Sequence, residues 1–191
     1  MPTFDSQAFP LDPTRLTDAT RVVFVFGSEN DYLATEKDRA RVARLFEVMN
    51  LSPDCYDVTV ISADRNGQEI DQYAEALSQL KNLRAVIAIA GMSAILPRVL
   101  PRKTGFTVPI LAVGMPSNGY PDGDDARLTI TRVPGGVCPP AYFETLYAAA
   151  MFAVQIICVS HDIPEYLGRF QNYMANSPDV VRDALGGLPL Y

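Results

Sequence analysis

The chain predicts an α/β domain built on a central parallel sheet, and three observations carry that prediction. Apolar, β-rich runs alternate with segments whose apolar residues fall at helical spacing. The first of those runs is continuous rather than alternating, as in strands covered on both faces. Short turns join the segments, so strand, helix, strand, helix in succession requires right-handed crossovers.

Residues 1–20, MPTFDSQAFPLDPTRLTDAT, are polar and hold three prolines; they read as an arm over the surface or onto a neighbouring subunit. RVVFVF (Arg21 to Phe26) is the first strand. A helix follows within residues 33–51, where Ala34, Val42, Ala43, Leu45, Phe46 and Met49 share a side. YDVTVIS (Tyr56 to Ser62) is the second strand, and residues 67–83 form a helix with Ile70, Tyr73, Ala74 and Leu77 on one face. RAVIAIAG (Arg84 to Gly91) is the third strand, Ser93 to Arg102 a short helix, and VPILAVG (Val108 to Gly114) the fourth strand. MPSNGYPDGDDA must be loop, being dense in Pro, Gly, Asn and Asp. RLTITRV (Arg127 to Val133) is expected as a fifth strand, and a long helix from about Ala141 to Val159 as a cover for the sheet. Further helices are expected in IPEYLGRFQNYMA and SPDVVRDAL, giving an arm at 1–20, an α/β domain at 21–160 and a C-terminal helical extension at 161–191.

With 191 residues, 48% apolar and 20% charged, the chain has the composition of one folded domain with extensions. Its net charge of −6, with sixteen basic residues scattered along the length, offers no basic face for a nucleic acid. The apolar run Tyr147 to Val159 is too short to span a bilayer, and the first residues lack the pattern of a signal peptide, so a cytoplasmic protein is expected. Cys55, Cys138 and Cys158 match no metal spacing and read as reduced thiols. No Gly-x-Gly-x-x-Gly or phosphate-cradling Gly-x-x-x-x-Gly-Lys loop is present, so hydride transfer and nucleotide hydrolysis find no support.

Open parallel sheets bind ligands outside the carboxyl ends of their strands, where strand order reverses. Those ends are GSENDY, SADRNG, AGMSAIL and GMPSNGY. Gly27 lets a ligand approach the backbone, Ser28, Ser62 and Ser93 offer hydroxyls, and Arg65 carries a guanidinium suited to a phosphate or carboxylate. One such end means little, because turns use the same residues; four in succession point to a pocket for a small phosphorylated or carboxylated molecule. His161 follows the apolar helix, where a contact with the helix end is expected rather than catalysis. Cys138 has no activating base nearby in sequence and reads as a packed thiol.

Read in order, these strand ends resemble the aminoimidazole ribonucleotide carboxylases and carboxyaminoimidazole ribonucleotide mutases of purine biosynthesis. The matching positions are Gly27-Ser28-Glu29-Asn30-Asp31, Ser62-Ala63-Asp64-Arg65, Ala90-Gly91-Met92-Ser93, and Pro134-Gly135-Gly136 before an Ala-rich helix, spanning about residues 21–160. ILAVGMPS and RVPGG resemble the form that takes carbon dioxide directly, while AILPR and RKT echo the mutase form. The resemblance implies a three-layer flavodoxin-like fold, a homo-oligomer that is commonly an octamer, a ribonucleotide substrate, and no metal or organic cofactor. It further implies that Ser28 and Asp31 hold phosphate and ribose, that Arg65 meets the phosphate, and that Ser62, Gly91 and Ser93 line the ring and its carboxylate.

Three positions depart from the family pattern. The family histidine is Asp64 here, its second serine is Asn30, and the third strand continues as Met92-Ser93-Ala94-Ile95. A carboxylate replaces imidazole as a proton carrier only if its pKa rises, which a substrate carboxylate against Asp64 would cause by repulsion and desolvation. The expected chemistry is therefore addition, movement or removal of a carboxylate with Asp64 as general acid/base. Two other readings stand beside it: a catalytically inactive nucleotide-binding or scaffold homologue, and an Asp64 that merely caps the helix beginning near Gly67.

Overall fold

A computed structural model describes residues 12–92, 94–132, 140–160 and 164–176. The sheet has five parallel strands: β1 (Val22–Phe26), β2 (Tyr56–Val60), β3 (Ala85–Ala90), β4 (Ile110–Gly114) and β5 (Ala141–Phe143), in spatial order β2-β1-β3-β4-β5. This is the flavodoxin-like order, with its switch point between β1 and β3. Strands β1 and β3 are buried at every position, as central strands sandwiched by two helix layers must be.

The helices are α1 (Glu29–Ala34), α2 (Glu36–Val48), α3 (Gly67–Gln79), α4 (Ile95–Lys103), α5 (Asp124–Thr131), α6 (Leu146–Val159) and α7 (Pro164–Asn176). They divide the core in two, because successive strand residues point to opposite faces. On one face Phe24 and Phe26 meet Leu45, Phe46, Ala149 and Ala153, together with Tyr166 of α7. On the other, Val23 and Val25 meet Ile70, Tyr73, Leu77 and Leu100, together with Ile130 of α5.

Two elements differ from the sequence expectation. Arg127 to Thr131 belong to a helix, α5, rather than to a strand. Its β-branched residues are outweighed by Asp124 and Asp125 in the first turn, by the Arg127–Asp124 pair at 2.6 Å, and by Ala126 and Ile130 buried four residues apart. Thr131 Oγ1 satisfies itself on the Arg127 carbonyl at 2.8 Å. The fifth strand is instead Ala141–Phe143, and the long helix starts later than expected, at Leu146, where Thr145 Oγ accepts from the Ala148 amide at 3.1 Å. The helix expected within residues 33–51 is also two helices, α1 and α2, meeting at Thr35. The expected helix SPDVVRDAL, the loop Pro134-Gly135-Gly136, Cys138 and His161 lie outside the described residues.

Candidate functional site

The chain leaves β1 through Gly27 and turns at once into α1. Ser28 is the N-cap: its Oγ accepts from the Asp31 amide at 3.1 Å. Two anchors then set the orientation of α1. Tyr32 is 1% exposed and packs edge-on to Phe26, with ring centroids 5.1 Å apart; the Arg39 guanidinium lies 3.7 Å over its ring. With Tyr32 fixed in the core, its neighbour Asp31 reaches the exits of β1 and β3.

Asp31 occupies the switch point itself. Positions where a Cβ would stand on Gly27 and on Gly91 lie 3.4 Å from Asp31 Oδ2 and Oδ1 respectively, so the carboxylate is wedged between the exits of β1 and β3. Ser28 Oγ donates to Oδ2 at 2.7 Å, and the backbone amides of Gly91 and Ser28 also donate to the carboxylate. Burial pushes the Asp31 carboxyl above its ordinary range, and these donors oppose the shift without cancelling it. Gly91 is crowded from its other side by the carbonyl oxygens of Met115 and Pro116, at 3.2 and 3.3 Å from the built Cβ position. The glycines therefore matter for close approach, since a Cβ at either place meets neighbours at 3.1–3.4 Å that would have to give way.

The exit of β3 is strained. Met92 and Ala94 both adopt left-handed backbone, with φ of 52° and 42°. Such conformations are costly for residues with side chains and gather at functional sites. The Met92 side chain is 71% exposed, projecting from the end of the sheet. Ser93, expected to line the ring, falls outside the described residues.

The exit of β2 forms the neighbouring wall, since β2 flanks β1 on the side away from β3. Ile61 continues the ladder by donating to the Phe26 carbonyl at 2.8 Å, and the chain leaves the sheet at Ser62. The turn closes on Asn66: its amide donates to the Ser62 carbonyl at 2.9 Å and its Oδ1 accepts from the Ser62 amide at 3.3 Å. Asp64 and Arg65 stand exposed at the tip of this turn. Asp64 does not cap α3, whose N-cap position is Asn66.

Of the expected residues, Gly27, Ser28, Asp31 and Gly91 therefore converge on one crevice. Ser62, Asp64 and Arg65 share the adjacent turn, whereas Asn30 is exposed on α1 and Met92 on the far rim. The reading from sequence missed Asn66, whose place before Gly67 and the helix was its signal, and the carbonyls of Met115 and Pro116, which leave no side-chain signal. A cavity of about 190 Å³ lies at the ends of β4 and β5, among Thr35, Lys37, Asp38, Gly114 and Glu144, and shares Met115 and Pro116 with the crevice. Among the described residues no group of three or more His, Cys, Asp or Glu is placed to hold a metal, and no helix is long and apolar enough to cross a membrane.

In sequence, no curated protein matches the chain. In structure it is similar to Treponema denticola PurE, at a TM-score of 0.64 and 20% identity, over 90% of this chain and 99% of that one. A serine-to-aspartate variant of PurE2 from the same organism superimposes at a TM-score of 0.65, again at 20% identity and over 90% and 99% of the two chains. At that identity the likeness speaks for the fold. The family described as AIR carboxylase matches residues 21–177, which hold the whole described sheet and α1 to α7, and the protein belongs to that family.

Proposed function

We propose that the protein adds, moves or removes a carboxylate on a phosphoribosyl-imidazole or similar small heterocyclic acid, with Asp64 as general acid/base. Membership of the AIR carboxylase family supports a carboxylase- or mutase-like role in purine biosynthesis. The observation that carries the finer reading is the meeting of Gly27, Ser28, Asp31 and Gly91 at the switch point of a parallel sheet, with the Ser62–Arg65 turn beside it.

In this reading the ring lies against the bare backbone of Gly27 and Gly91. The exposed Arg65 swings onto the phosphate, and Ser28 and Asp31 meet phosphate and ribose. Ser28 must then turn its hydroxyl proton away from Asp31, which leaves the carboxylate to the backbone amides of Gly91 and Ser28. Ser62, Asn30 and Met92 are assigned to substrate contacts on the resemblance alone, as is Ser93, which lies outside the described residues. A substrate carboxylate seated against Asp64 raises the proton affinity of one of the two by like-charge repulsion and loss of water. In the decarboxylating direction the protonated Asp64 delivers its proton to the ring carbon as the carbon–carbon bond breaks and carbon dioxide leaves. In the reverse direction the ring carbon takes up the carboxyl carbon and Asp64 accepts the displaced ring proton. No metal or organic cofactor is called for.

A homo-oligomer, on the octameric pattern implied by the resemblance, and a cytoplasmic location belong to the same reading. The outer side of α6 supports the first. This helix has no charged residue, and Phe152 and Val159 on it are 41% and 53% exposed in the single chain.

Asp64→Asn tests the assignment: turnover falls by about 10²–10⁴-fold while ligand binding persists, and normal turnover in that variant overturns the role. The second reading is an inactive nucleotide-binding homologue. It is favoured by the exposure of Asp64, which leaves that carboxylate in water until a ligand or another copy covers it. Binding of aminoimidazole ribonucleotide, with and without its carboxylate, and no absorbance change on incubation would decide for that reading.

A further inference from the structure

The start of the edge strand β2 and the middle of helix α3 are joined, away from the candidate site, by a buried polar cluster that the proposed chemistry does not use. Asp57 of β2 is 5% exposed, and both of its carboxylate oxygens are engaged. Tyr73 of α3, itself fully buried, donates its hydroxyl to Oδ2 at 3.1 Å, and Arg15 places its guanidinium 2.6 Å from Oδ1. Burial pushes the Asp57 carboxyl up, Arg15 and the Tyr73 hydroxyl pull it down, and Asp12 adds a weaker upward push.

Arg15 belongs to the segment before β1, which lies outside the residues matched by the family, 21–177. That segment is docked at further points. Leu16 packs on the core cluster that includes Ile70 and Leu77 of α3, and the Asp18 carbonyl accepts from Asn82 Nδ2 at 2.9 Å, just past the end of α3. Thr20 is buried and its Oγ1 accepts from the Thr17 amide at 3.1 Å. Residues 12–20 therefore clasp the start of β2 and the end of α3 together.

Those two elements lead directly to the Ser62–Asn66 turn, one entering it and the other leaving. From Asp57 to Ser62 is about 16 Å of extended strand, and from Tyr73 back to Asn66 about 10 Å of helix. Because β2 has, among the described residues, a sheet neighbour on only one side, its lateral position depends on what packs against its outer parts. We propose that residues 12–20 form a brace that positions the Asp64–Arg65 turn, with Arg15, Asp57 and Tyr73 as positioning residues acting through β2 and α3. The inference rests on the reading of that turn as part of the ligand site.

The test uses the full chain and two independent readouts. In Arg15→Met, amide hydrogen exchange at residues 62–67 quickens by about tenfold or more while exchange within β4 stays unchanged. In the same variant the Kd for aminoimidazole ribonucleotide rises about tenfold, and Arg15→Lys restores both values. Removing Arg15 alone strands a buried carboxylate and can unfold the chain; Arg15→Met with Asp57→Asn removes that charge and keeps the turn loose. Unchanged exchange at 62–67 in a folded variant overturns the brace, and so does an equal rise across β4, which marks a general loss of stability. If the unaltered protein fails to bind aminoimidazole ribonucleotide, the proposed function falls, while the exchange result still decides the brace.

Discussion

Replacing Gly91 by alanine tests how tightly the crevice is built. The added Cβ would stand 3.2 Å from the Met115 carbonyl oxygen, 3.3 Å from that of Pro116 and 3.4 Å from Asp31 Oδ1. Two of the three neighbours are backbone atoms at the exit of β4, so no side chain can rotate away and the strand exits must part. Overpacking of this kind costs about 1–3 kcal/mol. For a chain of this size each kcal/mol moves Tm by roughly 2–4 °C, so the midpoint falls by about 2–12 °C. Gly67→Ala serves as control, since nothing lies within 4 Å of its Cβ position and it sits in the first turn of α3. Thermal melts followed by circular dichroism read the stability, and titration calorimetry with aminoimidazole ribonucleotide reads the site. Equal Tm and equal affinity for the two variants would show that the β1–β3 crevice is neither tight nor the place where ligand binds.

Other substitutions probe other parts of the account. The raised pKa of Asp31 means that its neutral form favours the fold; that contribution is complete below the ordinary value of 3.8 and is lost as pH rises through the folded pKa. Asp31→Asn therefore leaves Tm near neutral pH unchanged or higher, flattens its decline as pH rises from the ordinary value, and weakens ligand binding; a large loss of neutral-pH stability would refute this. Thr145→Ala removes the cap of α6 and costs about 1 kcal/mol in urea melts. Phe152→Glu puts a charge on the apolar outer side of α6, and sedimentation velocity should show smaller species than the unaltered chain gives.

Most of the sheet was legible because burial on both faces leaves a direct mark on sequence. VVFVF and AVIAIA carry no polar residue, and both are central strands. The fifth strand was not legible, because Ala141–Phe143 is three residues long and half exposed, too short for a period to show. RLTITRV misled because Thr and Ile favour strands in isolation, while the deciding forces on α5 were two acidic residues upstream and the burial of Ala126 and Ile130.

The site divides in the same way. Gly27 and Ser28 stood out as a turn at a strand end, and their convergence with Gly91 follows from the strand order. That Asp31 would already be engaged by Ser28 and Gly91 could not be read from spacing, since it depends on the tilt that Tyr32 and Arg39 give α1. The role of Arg15 was hidden for a similar reason: its partner Asp57 is forty-two residues away and looks, in sequence, like an ordinary strand residue.

Under the proposed function, this strand-end site moves a carboxylate on a ribonucleotide through Asp64. Incubating the protein with aminoimidazole ribonucleotide plus bicarbonate, and separately with its carboxylated forms, while following ultraviolet absorbance, tests it most directly. Conversion in at least one direction is expected from the unaltered chain and none from Asp64→Asn, with both binding the ligand. Binding without conversion by the unaltered chain, or equal conversion by the two, would contradict it.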